Sequence, residues 1–508
     1  MFNMKKATTL ALCAAMLLSA ATLFACGEKD PANTNGADSG QDASSVSTSD
    51  SADQTEPEHV DKFTPLEQKF EGEFNLLVSG KAGDCNVEFK DFSALEAGYE
   101  KTQLEEAVYR KNAAVEELYG IKLNVIEDMG GSNQAYQKLL TAATAGSDDY
   151  DAAIIAAYDA IPLATADALY ELGSIEALNL NNSWWDQRAN TELTIHGAIF
   201  FTTGDITVWD DMQQNVVGFN KQVKADHNIE DDFYQVVADG EWTLEALATY
   251  AKQVTEDLNQ DGVYNMSDKF GIITWDDSTY AVFGGAGEKV VTVGNDGELS
   301  LTLTGSERIV DVMTTYTNIC FGGDAINYQR YTSVEAINMF SSNRALFFLG
   351  RLQSLDNYRD METDYGILPC PKYNADQEEY YTTPSPYHMT FACVPMMTGD
   401  PEKSGAVLEA LAYYGKEYMT GAYYDTTLTG QYFRDEDSVA TLELMAETRS
   451  YDIGFYIQPA NINKELIFLF RKGSTDFVST FDSYKSAAQT ALAEVNEKYK
   501  EAADVWAQ

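Results

Sequence analysis

Between residues 74 and 157 the apolar positions switch repeatedly between two periods. Phe74-Asn75-Leu76-Leu77-Val78 reads as a strand, and Leu104, Ala107, Val108, Val115 and Leu118 then fall at helical spacing. Gly120 ends that helix. Ile121, Leu123 and Val125 alternate as a second strand, a helix is expected around Tyr136 to Ala145, and Ala152 to Ala157 is a continuous apolar run suited to a parallel strand covered on both faces. This βαβαβ order predicts a doubly wound α/β lobe whose ligands sit beyond the carboxyl ends of its strands. Ser79-Gly80 and Tyr158-Asp159 occupy two such ends, so Ser79, Tyr158 and Asp159 are candidate ligand contacts. A plain strand-end turn is the alternative for Tyr158-Asp159.

From Trp184 to about Ser341 the pattern changes. Aromatic strand-like pieces (Ala198 to Thr202, Val216 to Phe219) alternate with helices such as Leu244 to Val254, where Thr243 is a good N-cap and Leu244, Leu247, Ala248, Ala251 and Val254 form one apolar stripe. These pieces predict a second lobe. The strand-like segments Ala345 to Leu349, Tyr365 to Leu368 and His388 to Pro395 are expected to return to the first lobe, and the helical region after Pro401 to complete the second. The expected division is therefore 66–200 with 342–395 as lobe 1, and 201–341 with 396–508 as lobe 2.

Length agrees with two lobes, because 508 residues exceed the roughly 250–300 at which a single core stops growing. With 44% apolar and 22% charged residues the chain has material for a sizeable core. Its 34 Lys and Arg against 80 Asp and Glu give −46, a field that repels phosphate backbones and disfavours nucleic acid as a partner. The four histidines are widely spaced and no CxxC pair exists, which argues against a zinc enzyme.

Lys5 and Lys6 precede an apolar stretch from Ala7 to Ala25, and polarity changes abruptly at Gly27. Residues 1–25 read as a secretory signal, and Ala25-Cys26 resembles a bacterial lipobox in which Cys26 is acylated and becomes the mature N-terminus. Two acyl chains would hold the protein on the outer face of the cell membrane. Residues 26–65, rich in Ser, Asp, Gly, Thr and Ala, are expected to be a disordered tether. No later apolar run reaches the ~18 residues needed to span a bilayer. Of the cysteines beyond Cys26, Cys370 and Cys393 flank what read as two neighbouring strands, and whether they pair is open.

Several phrases resemble the extracellular solute-binding proteins of bacterial ABC importers, the group related to maltose-binding protein. Gly240-Glu241-Trp242-Thr243-Leu244-Glu245-Ala246-Leu247 is similar to the group's G-x-W-T-x-[DE]-x-L helix start. Asn343-Arg344-Ala345-Leu346-Phe347 is similar to its G-x-A-M segment, with Asn343 and Leu346 departing from the usual Gly and Met. Asp364-Tyr365-Gly366-Ile367-Leu368-Pro369 is similar to its D-x-G-x-x-P strand. The resemblance implies a two-lobe periplasmic-binding-protein fold (type II), with strands crossing between the lobes and a ligand cleft that closes on a hinge. It also implies delivery of the solute to a membrane permease, by a protein that acts as a monomer and binds without breaking bonds.

Sixty aromatic residues suit a carbohydrate ligand, because sugar faces present C–H patches to rings while their hydroxyls need donors and acceptors. Trp185, Asp205 and Trp209 near the first expected crossing, Trp275 after the Ile272-Ile273 strand, Arg351 after the Ala-Leu-Phe strand and Tyr387 before the last crossing complete the candidate cleft. Arg351 would offer a planar fork to hydroxyls or a carboxylate, against the alternative of a surface ion pair. Separately, residues 257–268 fit a calcium loop: Asp257, Asn259, Asp261, the Val263 carbonyl, Asn265 and Asp268 stand at positions 1, 3, 5, 7, 9 and 12, with Gly262 at the sharp turn. A structural calcium clip is expected there, or else a polar turn. Two other functions fit parts of the pattern: binding of a polyamine or other cation, favoured by the acidity, and a secreted glycoside hydrolase using a carboxylate pair.

Overall fold

A computed structural model of the chain describes residues 61–79, 89, 100–128, 134–327, 329, 333–426 and 436–506. The expected signal, Cys26 and the tether up to residue 60 lie outside the described residues, as does Gly80. All described residues belong to one compact unit, Val60–Gln508. Order begins earlier than the composition suggests. Asp61 accepts from Ser183 N at 2.8 Å, and the Phe63 ring stacks on Tyr413 at 4.2 Å, so these two residues of the expected tether are held against the folded body.

Eleven strands are described, β1 (Glu73–Ser79), β2 (Lys122–Asp128), β3 (Ala152–Ala156), β4 (Asn215–Asn220), β5 (Phe270–Thr274), β6 (Val291–Val293), β7 (Leu299–Leu301), β8 (Ala325–Asn327), β9 (Ala345–Arg351), β10 (Tyr365–Leu368) and β11 (Thr390–Cys393). The first sheet has the order β11-β3-β1-β2, the second β10-β4-β9-β5-β8, and β6 with β7 forms a small hairpin. In the first sheet β2, β1 and β3 run parallel through the helices Gln103–Tyr119 and Gln134–Ala145. Every residue of β3 is buried, which is why it reads as an unbroken apolar run. The helix Gln103–Tyr119 opens on a Thr102 and Glu105 capping box and closes at Gly120, whose φ of 68° suits the left-handed cap.

The second lobe is larger than its sequence pattern predicts. Ala345–Arg351 and Tyr365–Leu368 do not return to the first sheet: β9 lies at the middle of the second, antiparallel to β4 and parallel to β5, and β10 pairs with β4 at its edge. A fully buried strand is equally apolar in either sheet, so periodicity is silent about its partners. Only β11 returns, antiparallel to β3. The helix Pro401–Tyr414 also departs from expectation. It packs in the first lobe, where Gly405 lies so close to Ile175 that a Cβ would meet its Cγ2 at 2.3 Å.

The chain passes between the sheets near residues 204–214 and again at 369–389, and residues 448–452 run beside the second passage. These crossings lie side by side: Gln214 pairs with Pro384, Asn215 Nδ2 donates to Thr383 O at 2.8 Å, and Thr382 pairs with Arg449. Gly204 is required at the first, because a Cβ there would stand 2.4 Å from the Trp184 carbonyl oxygen. Cys393 lies in the first sheet and Cys370 just beyond β10 of the second. β10 and β11 belong to different sheets, so the two cysteines do not flank adjacent strands, and both thiols are free and buried.

Candidate functional site

Strand ends from both sheets meet beside the crossings. β3 runs directly into the helix Ala157–Thr165, which places Tyr158 and Asp159 in its first turn. Tyr158 is half-buried and its ring lies 6.2 Å from that of Tyr387 on the second crossing. Burial, the Asp277 carboxylate and the Tyr387 phenol together push the Tyr158 hydroxyl well above the usual phenol range. Asp277 follows β5 in the second lobe, so the Tyr158 hydroxyl feels charge from across the lobe boundary.

Trp275 and Arg351 leave the ends of β5 and β9. The guanidinium sits 5.5 Å from the Trp275 ring centre and donates to Gln213 Oε1, and to Gln353 Oε1 at 3.4 Å. Gln213 Nε2 in turn donates to Gln353 Oε1 at 3.3 Å. Asp276 is fixed by three groups: Arg471 pairs with its carboxylate, Asn327 Nδ2 donates to it at 2.9 Å, and its backbone amide donates to Gln329 Oε1 at 2.5 Å. Tyr280 and Tyr456 stand close enough to Tyr158 for its charge to act on theirs, and Tyr280 packs on Phe455 at 4.5 Å.

Among the residues expected from sequence, Tyr158 meets Tyr387, and Trp275 meets Arg351. The others serve differently. Ser79 ends β1 fully buried, its hydroxyl without a hydrogen-bond partner among the described residues. Asp159 is buried and accepts from Tyr136 N at 3.4 Å, which ties two helices together. Trp185 is no stacking platform. Its ring is buried and its indole donates to Glu409 Oε2 at 2.7 Å, while burial raises the Glu409 carboxyl. Trp209 is buried as well, and its Nε1 donates to His388 O at 2.6 Å, so it holds the second crossing and offers no ring face. Asp205 lines a different cavity, with Asp186, Asp210, Asp211 and Arg449. Gln213, Gln353, Asp276, Asp277 and Tyr280 were not singled out from sequence, although the polar break Asp276-Asp277-Ser278 after an apolar strand is the kind of signal that marks a strand-end site.

In the 257–268 loop the side-chain oxygens are turned to backbone amides. Asp257 accepts from Gln260 N and Gly262 N at 2.8 Å each, Asp261 from Val263 N at 2.7 Å, and Asp268 from Leu258 N at 3.1 Å and Asn265 N at 2.9 Å. Asn259 and Asn265 accept from Asp261 N and Ser267 N at 2.9 Å each, and the Val263 carbonyl accepts from Asn265 Nδ2 at 3.0 Å. Among the described residues no three acidic, histidine or cysteine side chains converge on a metal position. No described helix is long and apolar enough to cross a membrane.

Two α/β lobes joined by adjacent crossings, with aromatic and polar side chains facing each other at their strand ends, define a two-lobe binding protein. Residues 100–383 match the bacterial extracellular solute-binding protein family, and the chain belongs to that family. Solved structures of the same fold include the cyclic alpha-maltosyl-1,6-maltose binding protein of Arthrobacter globiformis, at TM-score 0.53 and 12% identity over 83% of this chain and 99% of that one. An ABC transporter solute-binding protein of Thermotoga lettingae bound with alpha-D-tagatose gives TM-score 0.52 and 15% identity over 84% and 100%. A cyclo/maltodextrin-binding protein complexed with maltotetraose gives TM-score 0.52 and 15% identity over 85% and 98%. A search of curated proteins finds no match.

Proposed function

We propose that the protein captures a sugar or oligosaccharide between its lobes and presents it to the permease of an ABC importer, while acylated Cys26 holds it at the outer face of the cell membrane. The observation that carries the ligand class is the aromatic pair Tyr158 and Tyr387, with Tyr158 close enough to Asp277 of the second lobe to feel its charge, while Arg351 stands over the buried Trp275 at the strand ends of that lobe. Rings cover the C–H faces of a sugar, and the Gln213, Gln353, Asp277 and Arg351 side chains supply donors and acceptors for its hydroxyls. The ligands named for the two structures solved with a sugar, alpha-D-tagatose and maltotetraose, support the same class. Contact with both lobes at once favours the closed form, which is how binding becomes a shape a permease can read. Titration calorimetry with maltotetraose, D-tagatose and spermidine tests this: saturable binding of a sugar supports it, and binding of spermidine alone at these residues replaces it with a cation carrier.

We also propose that the 257–268 loop takes a structural calcium ion, for which the Asp257, Asp261 and Asp268 carboxylates would have to turn from backbone amides toward the ion; the ligand spacing and the Glu256 and Lys269 pairing that closes the base of the loop support this reading.

A further inference from the structure

Phe468 is 40% exposed, nearly as open to water as Tyr387 of the proposed sugar site at 41%. It stands on the helix Lys464–Lys472, whose other apolar residues Leu466, Ile467, Leu469 and Phe470 are buried and hold the helix to the second lobe. A single exposed apolar side chain is ordinary on a protein surface. What sets Phe468 apart is where its helix is fixed and what holds its ring.

The helix packs against Ser278–Gly285, the helix that follows β5, and both of its ends are tied to the start of that segment. At the beginning, the Asn463 carbonyl accepts from the Tyr280 hydroxyl at 3.3 Å. Near the end, Arg471 Nε pairs with the Asp276 carboxylate, which is buried and also accepts from Asn327 Nδ2 at 2.9 Å. The guanidinium is thereby held at the carboxyl end of β5, beside Trp275 and Asp277. Residues three apart share one face of a helix, and the Arg471 guanidinium lies 5.8 Å from the centre of the Phe468 ring. Tyr280 connects this corner to the inner rings. Burial first, then Tyr158 and Asp277, push its hydroxyl well above the usual phenol range, and Arg471 opposes them. Tyr158 and Arg471 thus both act on one hydroxyl, from the two lobes.

We propose that Phe468, positioned by Arg471, is an outer subsite of the sugar site and makes the preferred ligand an oligosaccharide and not a single sugar. The proposal rests on the sugar reading above and adds the ligand's length to it. One sugar unit lies at Tyr158 and Tyr387, and a further unit covers the Phe468 ring with its C–H face. A monosaccharide reaches the inner rings alone. Arg471 is half-exposed, so its guanidinium edge stands where the hydroxyls of that outer unit would lie.

Calorimetry of the full chain tests this, with maltotetraose, cellotetraose and xylotetraose each titrated beside its own monosaccharide, D-glucose or D-xylose, and with thermal melts to check folding. Covering the exposed part of a phenyl ring removes about 80 Å² from water, so the tetrasaccharide that binds is expected to exceed its monosaccharide by ~10–30-fold in affinity. Phe468→Ala should weaken the tetrasaccharide by the same ~10–30-fold and leave the monosaccharide within about twofold. Phe468→Tyr, which keeps a flat ring, should bind like the parent, and Tyr387→Ala, in the inner site, should weaken both sugars. Should Phe468→Ala fail to fold, Phe468→Leu keeps an apolar side chain without the flat face and is expected to lose the same increment. A monosaccharide that binds the parent as tightly as the tetrasaccharide, or a Phe468→Ala that weakens both sugars equally or neither, overturns the proposal and leaves the sugar reading in place. A parent that binds none of these sugars brings down the sugar reading itself, and this subsite with it.

Discussion

Tyr387 is the residue of the proposed sugar site whose removal separates binding from folding most cleanly. It is 41% exposed, unusual for a large ring beside a core, and its ring stands tilted at 51° to that of Tyr158. A tyrosine buries ~150–250 Å² when fully covered, so a ligand that closes over the exposed part removes about 80 Å² from water. At ~25 cal/mol per Å² this contributes about 2 kcal/mol, or roughly a 30-fold loss of affinity in Tyr387→Ala. Folding should suffer little: the ring contacts to Tyr158 and His388 are worth about 0.5–1.5 kcal/mol, which in a chain this long moves the unfolding midpoint by only a few degrees. Tyr387→Phe keeps the apolar face and should bind within about twelvefold of the parent, since one hydrogen bond contributes ~0.5–1.5 kcal/mol. Calorimetry with the tightest sugar from a titration panel, alongside thermal melts, reads both quantities. Affinity of Tyr387→Ala within twofold of the parent would refute the placement of the ligand against this ring.

The remaining expectations concern charge, thiols and metal. Asp205 is held up at about 7 by burial and would titrate near 4 when unfolded, so its neutral form favours the fold; that contribution is full below about pH 4 and is lost as pH rises through about 7. Asp205→Asn should therefore gain stability relative to the parent at pH 8 and not at pH 4, and an equal difference at both would contradict the sign. Burial pushes the Cys320 and Cys370 thiols up to about 12 and Cys393 higher still, so none of the three should be alkylated by iodoacetamide in native protein at pH 8, while all three should react in denaturant. Peptide mapping reads this, and rapid native labelling at Cys370 or Cys393 would place them nearer the surface. Chelator-treated protein should give a one-to-one calcium isotherm that Asp257→Ala abolishes; absence of any heat retires the calcium proposal.

What the chain reveals before folding depends on how local the cause is. The helix Leu244–Lys252 was legible apart from its end, which falls two residues before the expected Val254: Thr243 accepts from Ala246 N at 3.2 Å, Leu244, Leu247, Ala251 and Val254 are buried, and Ala248 is half-buried. So were β1, β2 and β3 with their helices, where period and length decide the element. Strand partners were not legible, since Phe347 and Phe348 in β9 would be equally buried in either sheet. In the candidate site, the sequence pattern placed Tyr158, Trp275, Arg351 and Tyr387 at strand ends and crossings, and the structure has them there. Trp185 and Trp209 misled because an indole in a core and one in a cleft look alike until a partner such as Glu409 or the His388 carbonyl is seen. The Arg449 cluster was invisible, because it joins residues more than 200 positions apart.

The most direct test is the structure of the protein with the sugar that binds it best, chosen from a panel that includes maltotetraose and D-tagatose. The sugar is predicted to lie between Tyr158 and Tyr387 on one side and Trp275 and Arg351 on the other, touching both lobes. A bound sugar that touches one lobe alone, or a panel in which none binds, would contradict capture between the lobes.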